Sequence, residues 1–374
     1  MRELAYYDEH FFAHTWSNHK RETGLVVFVR SKRKELDDPA VSEVIGVVML
    51  LAMVITMMGG VFVFLTPYVS DFQDNTAWSN ADGIAERLDN RIDVVAGEIN
   101  DTGLRTTIST ITSSITPILN SEEWTISADL TPDDIITVIE QNQSSFEVTS
   151  VNETAASALI WTQSGQQHLD FLSASTQIIV NHELNLGNTY YVTIYDTNGK
   201  EIHRHVKASL SGLMVKTEVN TGQHEIALVN DGRYDRFSDE PWSITYPPDM
   251  SIDELFDGTM RVSLSLRTIN TVGGLPDGRR ASFDFTSAGP ISLFTGDAWN
   301  FRFGFESTLG PTITPQLSET WLTDYTLHRA AGTLDQHRGI SPWQRTSGID
   351  GLTVDGGNSV IDLEVDLQIV EVSE

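Results

Sequence analysis

The hydrophobic pattern along this chain falls into three regimes. From Val44 to Thr66 run twenty-three residues without a charge. At about 1.5 Å of rise per residue, a helix over them covers the roughly 30 Å hydrocarbon core of a bilayer. Gly46, Gly59 and Gly60 weaken a helix in water but are at home in lipid, so the pattern predicts a membrane-spanning helix rather than a core helix. After Pro67, apolar residues recur at Ile84, Leu88, Ile92, Val95 and Ile99 with charges between. That helical period predicts that the helix continues outward as a stem. In the Thr-rich stretch Leu104 to Ile118, Ile108, Ile111 and Ile115 fit a helix while the β-branched density fits strands, and both readings stay open. Thr131-Pro-Asp-Asp134 reads as the opening of a short helix, with a capping residue, Pro in the first turn and acids at the positive end.

From about Phe146 the period becomes two. Tyr190–Tyr195 and Glu201–Val206 flank Asp196-Thr-Asn-Gly199, and Met214–Val219 and Glu225–Val229 flank Asn220-Thr-Gly222, which predicts two hairpins. Alternating runs follow at Met260–Leu266, Ala281–Phe285, Trp299–Phe305 and Ser359–Val372. The predicted fold class is α+β: a long N-terminal transmembrane and stem helix, then a mainly antiparallel, sandwich-like β-domain. The predicted organisation is a cytoplasmic leader (1–40), the helix and stem (41–118) and an acidic β-rich domain (119–374).

Charge sharpens this picture. Residues 1–40 hold seven Lys/Arg and seven Asp/Glu, whereas the rest carries 17 basic and 45 acidic side chains, the whole of the net −28. Arg30, Lys32, Arg33 and Lys34 precede the apolar helix, so the N-terminus is predicted to stay in the cytoplasm and the acidic bulk to face outside. A domain this acidic disfavours nucleic acid and stays soluble through hydrated carboxylates. There is no cysteine, which excludes disulfides, thiolate metal sites and Cys nucleophiles.

A basic cluster, the small residue Ala40, and then Val41-Ser-Glu43-Val44-Ile-Gly46 opening an uncharged helix resembles the N-terminal signature of archaeal type IV pilins and archaellins. The resemblance implies that a membrane aspartic peptidase of the prepilin type cuts between Ala40 and Val41 and leaves the helix as an anchor. It further implies an assembly ATPase and membrane platform that extract the helix from lipid, and packing against other pilin-like subunits in a filament core. Glu43 would be the third mature residue, near the place where relatives pair a Glu with a neighbour's new amino terminus. Asp37, Asp38 and Pro39 separate the basic cluster from Ala40, which departs from the usual spacing. With 334 residues after the cut, the expectation is a minor or adhesive subunit.

Enzyme and cofactor motifs are absent: there is no phosphate loop, no Gly-x-Ser-x-Gly, no His-Glu-x-x-His and no complete Ca-binding loop. No metal or cofactor is expected. His10, His14 and His19 fit no ligand spacing, and His203 and His205 share a strand face without a visible third ligand. Asn100, Asn142 and Asn152 open Asn-x-Ser/Thr acceptor sequences for N-glycosylation beyond the helix. The loop Asn270–Arg280 and the region Trp321–Trp343, with Tyr325 and His337, are candidate recognition surfaces. Two rival functions stay open: a single-pass surface binding protein that does not polymerise, and a membrane-anchored hydrolase.

Overall fold

The structure is a computed structural model of the 374-residue chain. It describes residues 39–172, 175–248, 250–256, 259–276, 280–310, 312–313, 351–355 and 360–374. The leader with its three His, and the region 321–343, lie outside the described residues. The chain divides into two compact units, Met1–Phe64 and Leu65–Glu374.

One helix, α1 (Pro39–Ala96, 58 residues), runs from the first unit into the second. Pro39 opens it, where a missing N–H costs nothing, and Pro67 sits inside it, where one backbone bond is lost. In the first unit every apolar side chain of α1 from Val44 onward is exposed.

The second unit is mostly antiparallel sheet. Its strands are β1 (Gly103–Ser109), β2 (Ser113–Asp129), β3 (Ile136–Asn142), β4 (Ser145–Ser150), β5 (Ser157–Thr162), β6 (Gly165–Asp170), β7 (Gln177–Asn181), β8 (Thr189–Tyr195) and β9 (Glu201–Val219), followed by β10 (Gly222–Val229), β11 (Gly232–Phe237), β12 (Ser243–Tyr246), β13 (Met250–Glu254), β14 (Met260–Thr271), β15 (Arg280–Ser287), β16 (Ile291–Ser307), β17 (Gly351–Asp355) and β18 (Ile361–Ser373). Both predicted hairpins are present, and β9 is a member of each: its first half pairs β8 and its second half pairs β10. The alternating C-terminal run forms β18, which pairs β14 in parallel and both β15 and β16 antiparallel.

Two expectations change. Leu104–Ile118, left open between helix and strand, falls in β1 and β2 on either side of a break at residues 110–112, so β-structure begins at Gly103 rather than near Phe146. Residues 131–134 form a turn and not a helix. The acid expected at the positive end of that helix, Asp134, takes hydrogen bonds from the end of β4 and the turn after it instead: Ser150 Oγ (2.5 Å), Asn152 N (2.8 Å) and Thr154 Oγ1 (2.6 Å). Burial would push its carboxyl up, but these donors hold it below the ordinary carboxylate range.

Three apolar clusters hold the unit together. One is the central core built on Trp124, Phe294, Phe305, Leu363 and Val365. The second seats α1 on the sheet. The third lies among β3, β4, β5, β7 and β8 around Phe146, Ile160 and Val192.

Candidate membrane and assembly helix

The two parts of α1 bury opposite amounts of themselves. Between Val44 and Leu65 all seventeen large apolar side chains are exposed, Met49 to 71% and Phe62 to 73%. A soluble surface rarely carries a continuous apolar area of this size. The helix is long and apolar enough to cross a membrane. Glu43 is exposed at the start of this stretch, and Ala40 and Val41 lie in the first turn of α1. Val44 and Thr66, the predicted limits of the span, are both exposed helix positions.

Further along, the stripe Ala81, Ile84, Ala85, Leu88, Ile92, Val95 and Ala96 is buried, each residue at 5% exposure or less. Its three- and four-residue spacing places these side chains on one face. That face packs on Ile108 of β1, Leu213 and Val215 of β9, Phe283 and Phe285 of β15, and Val370 and Val372 of β18. Ile99, expected in the stripe, falls three residues past the helix end and is 77% exposed.

Polar clasps flank the stripe. Asp74 accepts bonds from the Asn220–Thr221 turn of the β9–β10 hairpin, led by Asn220 N at 2.8 Å, which holds its carboxyl below the ordinary range. Trp78 stacks on Phe237 with ring centres 5.7 Å apart and lies 4.3 Å from the His224 ring. Asp82 pairs with Arg233 of β11. Arg267 Nη1 on β14 reaches Asp93 on the helix (2.5 Å) and Asp231 beside β10 (2.7 Å). The carboxylates of Asp89, Asp93 and Asp231 lie within 4.8 Å of one another, and Arg267 supplies the counter-charge. Burial, then the two neighbouring acids, lift Asp89 to about 6.

The three acceptor asparagines are all exposed: Asn100 just after α1, Asn142 at the β3–β4 turn and Asn152 after β4. Asn152 Nδ2, the nitrogen a glycan would take, donates to Asp133 O at 2.7 Å.

Of the two strand histidines, His203 binds Asp129 Oδ1 through Nδ1 (2.6 Å) and Ser127 Oγ through Nε2 (3.2 Å). The order Ser, His, Asp is that of an acyl-transfer relay. Its base, however, is 1% exposed, and a general base must reach the substrate's proton. Asp129 also accepts from Asn300 Nδ2 (2.6 Å) and Ile136 N (3.3 Å), so the group ties β2, β9, β16 and the start of β3 together. His205 is buried beside it, and burial followed by the His203 and Lys207 charges lowers it to about 3. Sequence reading paired the two histidines and missed Asp129, because a buried acid on another strand leaves no local signal.

A family of unknown function (DUF7289) matches residues 40–122, which comprise α1 from its second residue, β1 and β2 as far as Glu122. No curated protein and no solved structure matches the chain.

Proposed function

We propose that this chain is a pilin-like subunit of a cell-surface, type IV pilus-like filament, minor or adhesive in role and without catalytic turnover. The observation that carries the reading is the division of α1 into an apolar part whose large side chains are exposed and a part docked on a β-rich unit. An exposed apolar helix needs lipid, or other copies of itself, to hide it from water. Lipid serves first: the helix spans the membrane once, with the basic cluster inside and the acidic β-domain, read as packed sheet layers, outside. After a prepilin-type peptidase cuts between Ala40 and Val41, an assembly ATPase and its membrane platform withdraw the helix, and the same surface packs against neighbouring subunits. Glu43 then offers a carboxylate at the edge of the helix core, where pairing with a neighbour's new amino terminus offsets its desolvation. Support also comes from the position of the family match, which begins at Ala40 and stays within the helix and the first strands that receive it.

N-terminal mass spectrometry of the protein from native membranes and from the sheared extracellular fraction tests the proposal. The expected result is a terminus at Val41 in sheared filaments. An intact terminus found only in membranes would overturn it and leave the non-polymerising surface binding protein as the better account.

A further inference from the structure

The β-rich unit contains a cleft of about 410 Å³, within the size range of small-molecule sites. It opens where β2 loses register with β9. Ile118 faces Gly212 and Glu122 faces Leu210, so three residues of β2 bulge against Ser211 alone. Asn120, in the bulge, adopts the left-handed φ of 50° that Asn tolerates. The β5–β6 turn, the loop before β8 and the end of β14 complete the walls.

The lining is unusual for this protein. Although 20% of the chain is charged, none of the thirteen lining residues is: eleven are Asn, Gln, Ser or Thr, and the others are Leu186 and Gly187. Among the described residues, an anionic ligand finds no Lys or Arg there, and a cation finds no carboxylate. A lipid finds one apolar side chain, Leu186, which is itself 2% exposed. What remains is a neutral molecule rich in hydroxyls.

Internal bonds also fix how the amides present themselves. Asn120 Oδ1 accepts from Asn188 Nδ2 (2.9 Å) and Ser209 Oγ (3.2 Å), which leaves Asn120 Nδ2 to donate and Asn188 Oδ1 to accept. Asn185 Oδ1 is taken by Gly187 N (3.2 Å), leaving its Nδ2 as a second donor. The side-chain amides of Gln163 and Asn270 make no hydrogen bond to any described residue and add a donor and an acceptor each. A sugar hydroxyl both donates and accepts, and a preset mixture of amide donors and acceptors matches that need at low ordering cost.

We propose that this cleft binds a neutral saccharide unit of a glycan. The proposal concerns the β-rich unit alone and holds whether or not the chain polymerises.

Saturation-transfer NMR on the full-length protein, kept in a detergent without a sugar headgroup, tests it. The probes are glucose, galactose, mannose and N-acetylglucosamine, with glucuronic acid and glucosamine as charged controls. At least one neutral sugar is expected to receive saturation, with each charged control about tenfold weaker or silent. Gln163→Ala with Asn270→Ala, which removes amides that hold nothing else, is expected to weaken binding about tenfold, the equivalent of roughly 1.4 kcal/mol for the lost hydrogen bonds. Silence from every neutral sugar, equal response from the charged controls, or unchanged binding by a folded double variant would each overturn the proposal.

Discussion

Asp74 Oδ1 on the stem of α1 lies 2.8 Å from the backbone N–H of Asn220 and 2.9 Å from its side-chain amide, 146 residues further along the chain. Thr221 adds its N–H (3.2 Å) and hydroxyl (2.9 Å) to Oδ2, so one carboxylate caps a two-residue hairpin turn and pins the helix to it. Asp74→Ala should speed amide hydrogen exchange at Asn220 and Thr221. Because the folded carboxyl is held below its ordinary pKa, its contribution is present above that ordinary value and lost as pH falls through the depressed one. Equal exchange in wild type and variant at neutral pH would show that the cap adds nothing.

The apolar stripe should carry more energy than the clasps. Leu88 is fully buried between helix and sheet, and Leu88→Ala should cost about 2–5 kcal/mol in denaturant unfolding of the micelle-bound chain. The neighbouring Glu86 is exposed, and Glu86→Ala should stay within about 0.5 kcal/mol. Similar losses for both would mean that the stem is not seated on the sheet.

Glu122 gives the fold a pH dependence. Burial lifts its carboxyl to about 7 against an ordinary 4.5, although Tyr234, Trp124 and Asn230 pull the other way through hydrogen bonds. The folded chain therefore keeps a proton that the unfolded chain sheds between those values. Stability from this group is full below about pH 4.5, falls as pH rises towards 7, and leaves an upper-bound cost of about 3 kcal/mol above that. Asp89, lifted to about 6, adds a fall of the same sign at lower pH. Glu122→Gln should flatten most of the fall between pH 6 and 7, leaving the smaller part from Asp89, which is half titrated at pH 6. The variant's absolute stability is a poorer guide, since the Gln amide has one acceptor oxygen and cannot accept from both Trp124 and Tyr234 at the two places where the carboxylate does. An unchanged slope over that interval would remove Glu122 from the account.

In the filament reading, Glu43→Gln should lower the amount of subunit in the sheared fraction while membrane levels hold. Wild-type release of the variant would reduce Glu43 to an exposed interfacial charge.

Glycopeptide mass spectrometry should find the highest glycan occupancy at Asn142, with lower occupancy at Asn100 and Asn152, whose Nδ2 atoms donate to Asp101 Oδ2 (3.1 Å) and Asp133 O (2.7 Å). Each Asn→Gln variant should lose one modification. Full occupancy at Asn152 and none at the other two would contradict the structural ranking.

What could be read from the sequence was whatever depends on neighbours along the chain. The uncharged run Val44–Thr66, the Ile84–Leu88–Ile92–Val95 stripe and the turns Asp196–Gly199 and Asn220–Gly222 all declare themselves through local period or turn chemistry. Misreadings and open readings came where distant residues decide the outcome. Asp134 reads as an acid at the positive end of a helix until Ser150 and Thr154 arrive from the end of β4 and the turn after it, and Leu104–Ile118 is settled as strand by pairing with β15 and β9. The cleft was legible only at one corner: Asn270 heads a loop suspected of recognition, but Asn120, Gln163 and Asn188 come together only through strand pairing and a bulge.

The clasps on α1 also decide how the β-rich unit bears tension. Asp74, Asp82 and Asp93 engage three different strands or turns over nineteen residues of helix, about 28 Å at 1.5 Å per residue. A pull along the helix axis loads all three and the stripe between them at once, as shear, so none can give way before the others share the strain. A sideways pull would open them one after another. The attachment of the stem to the sheet is thus strong along the helix axis and weak across it.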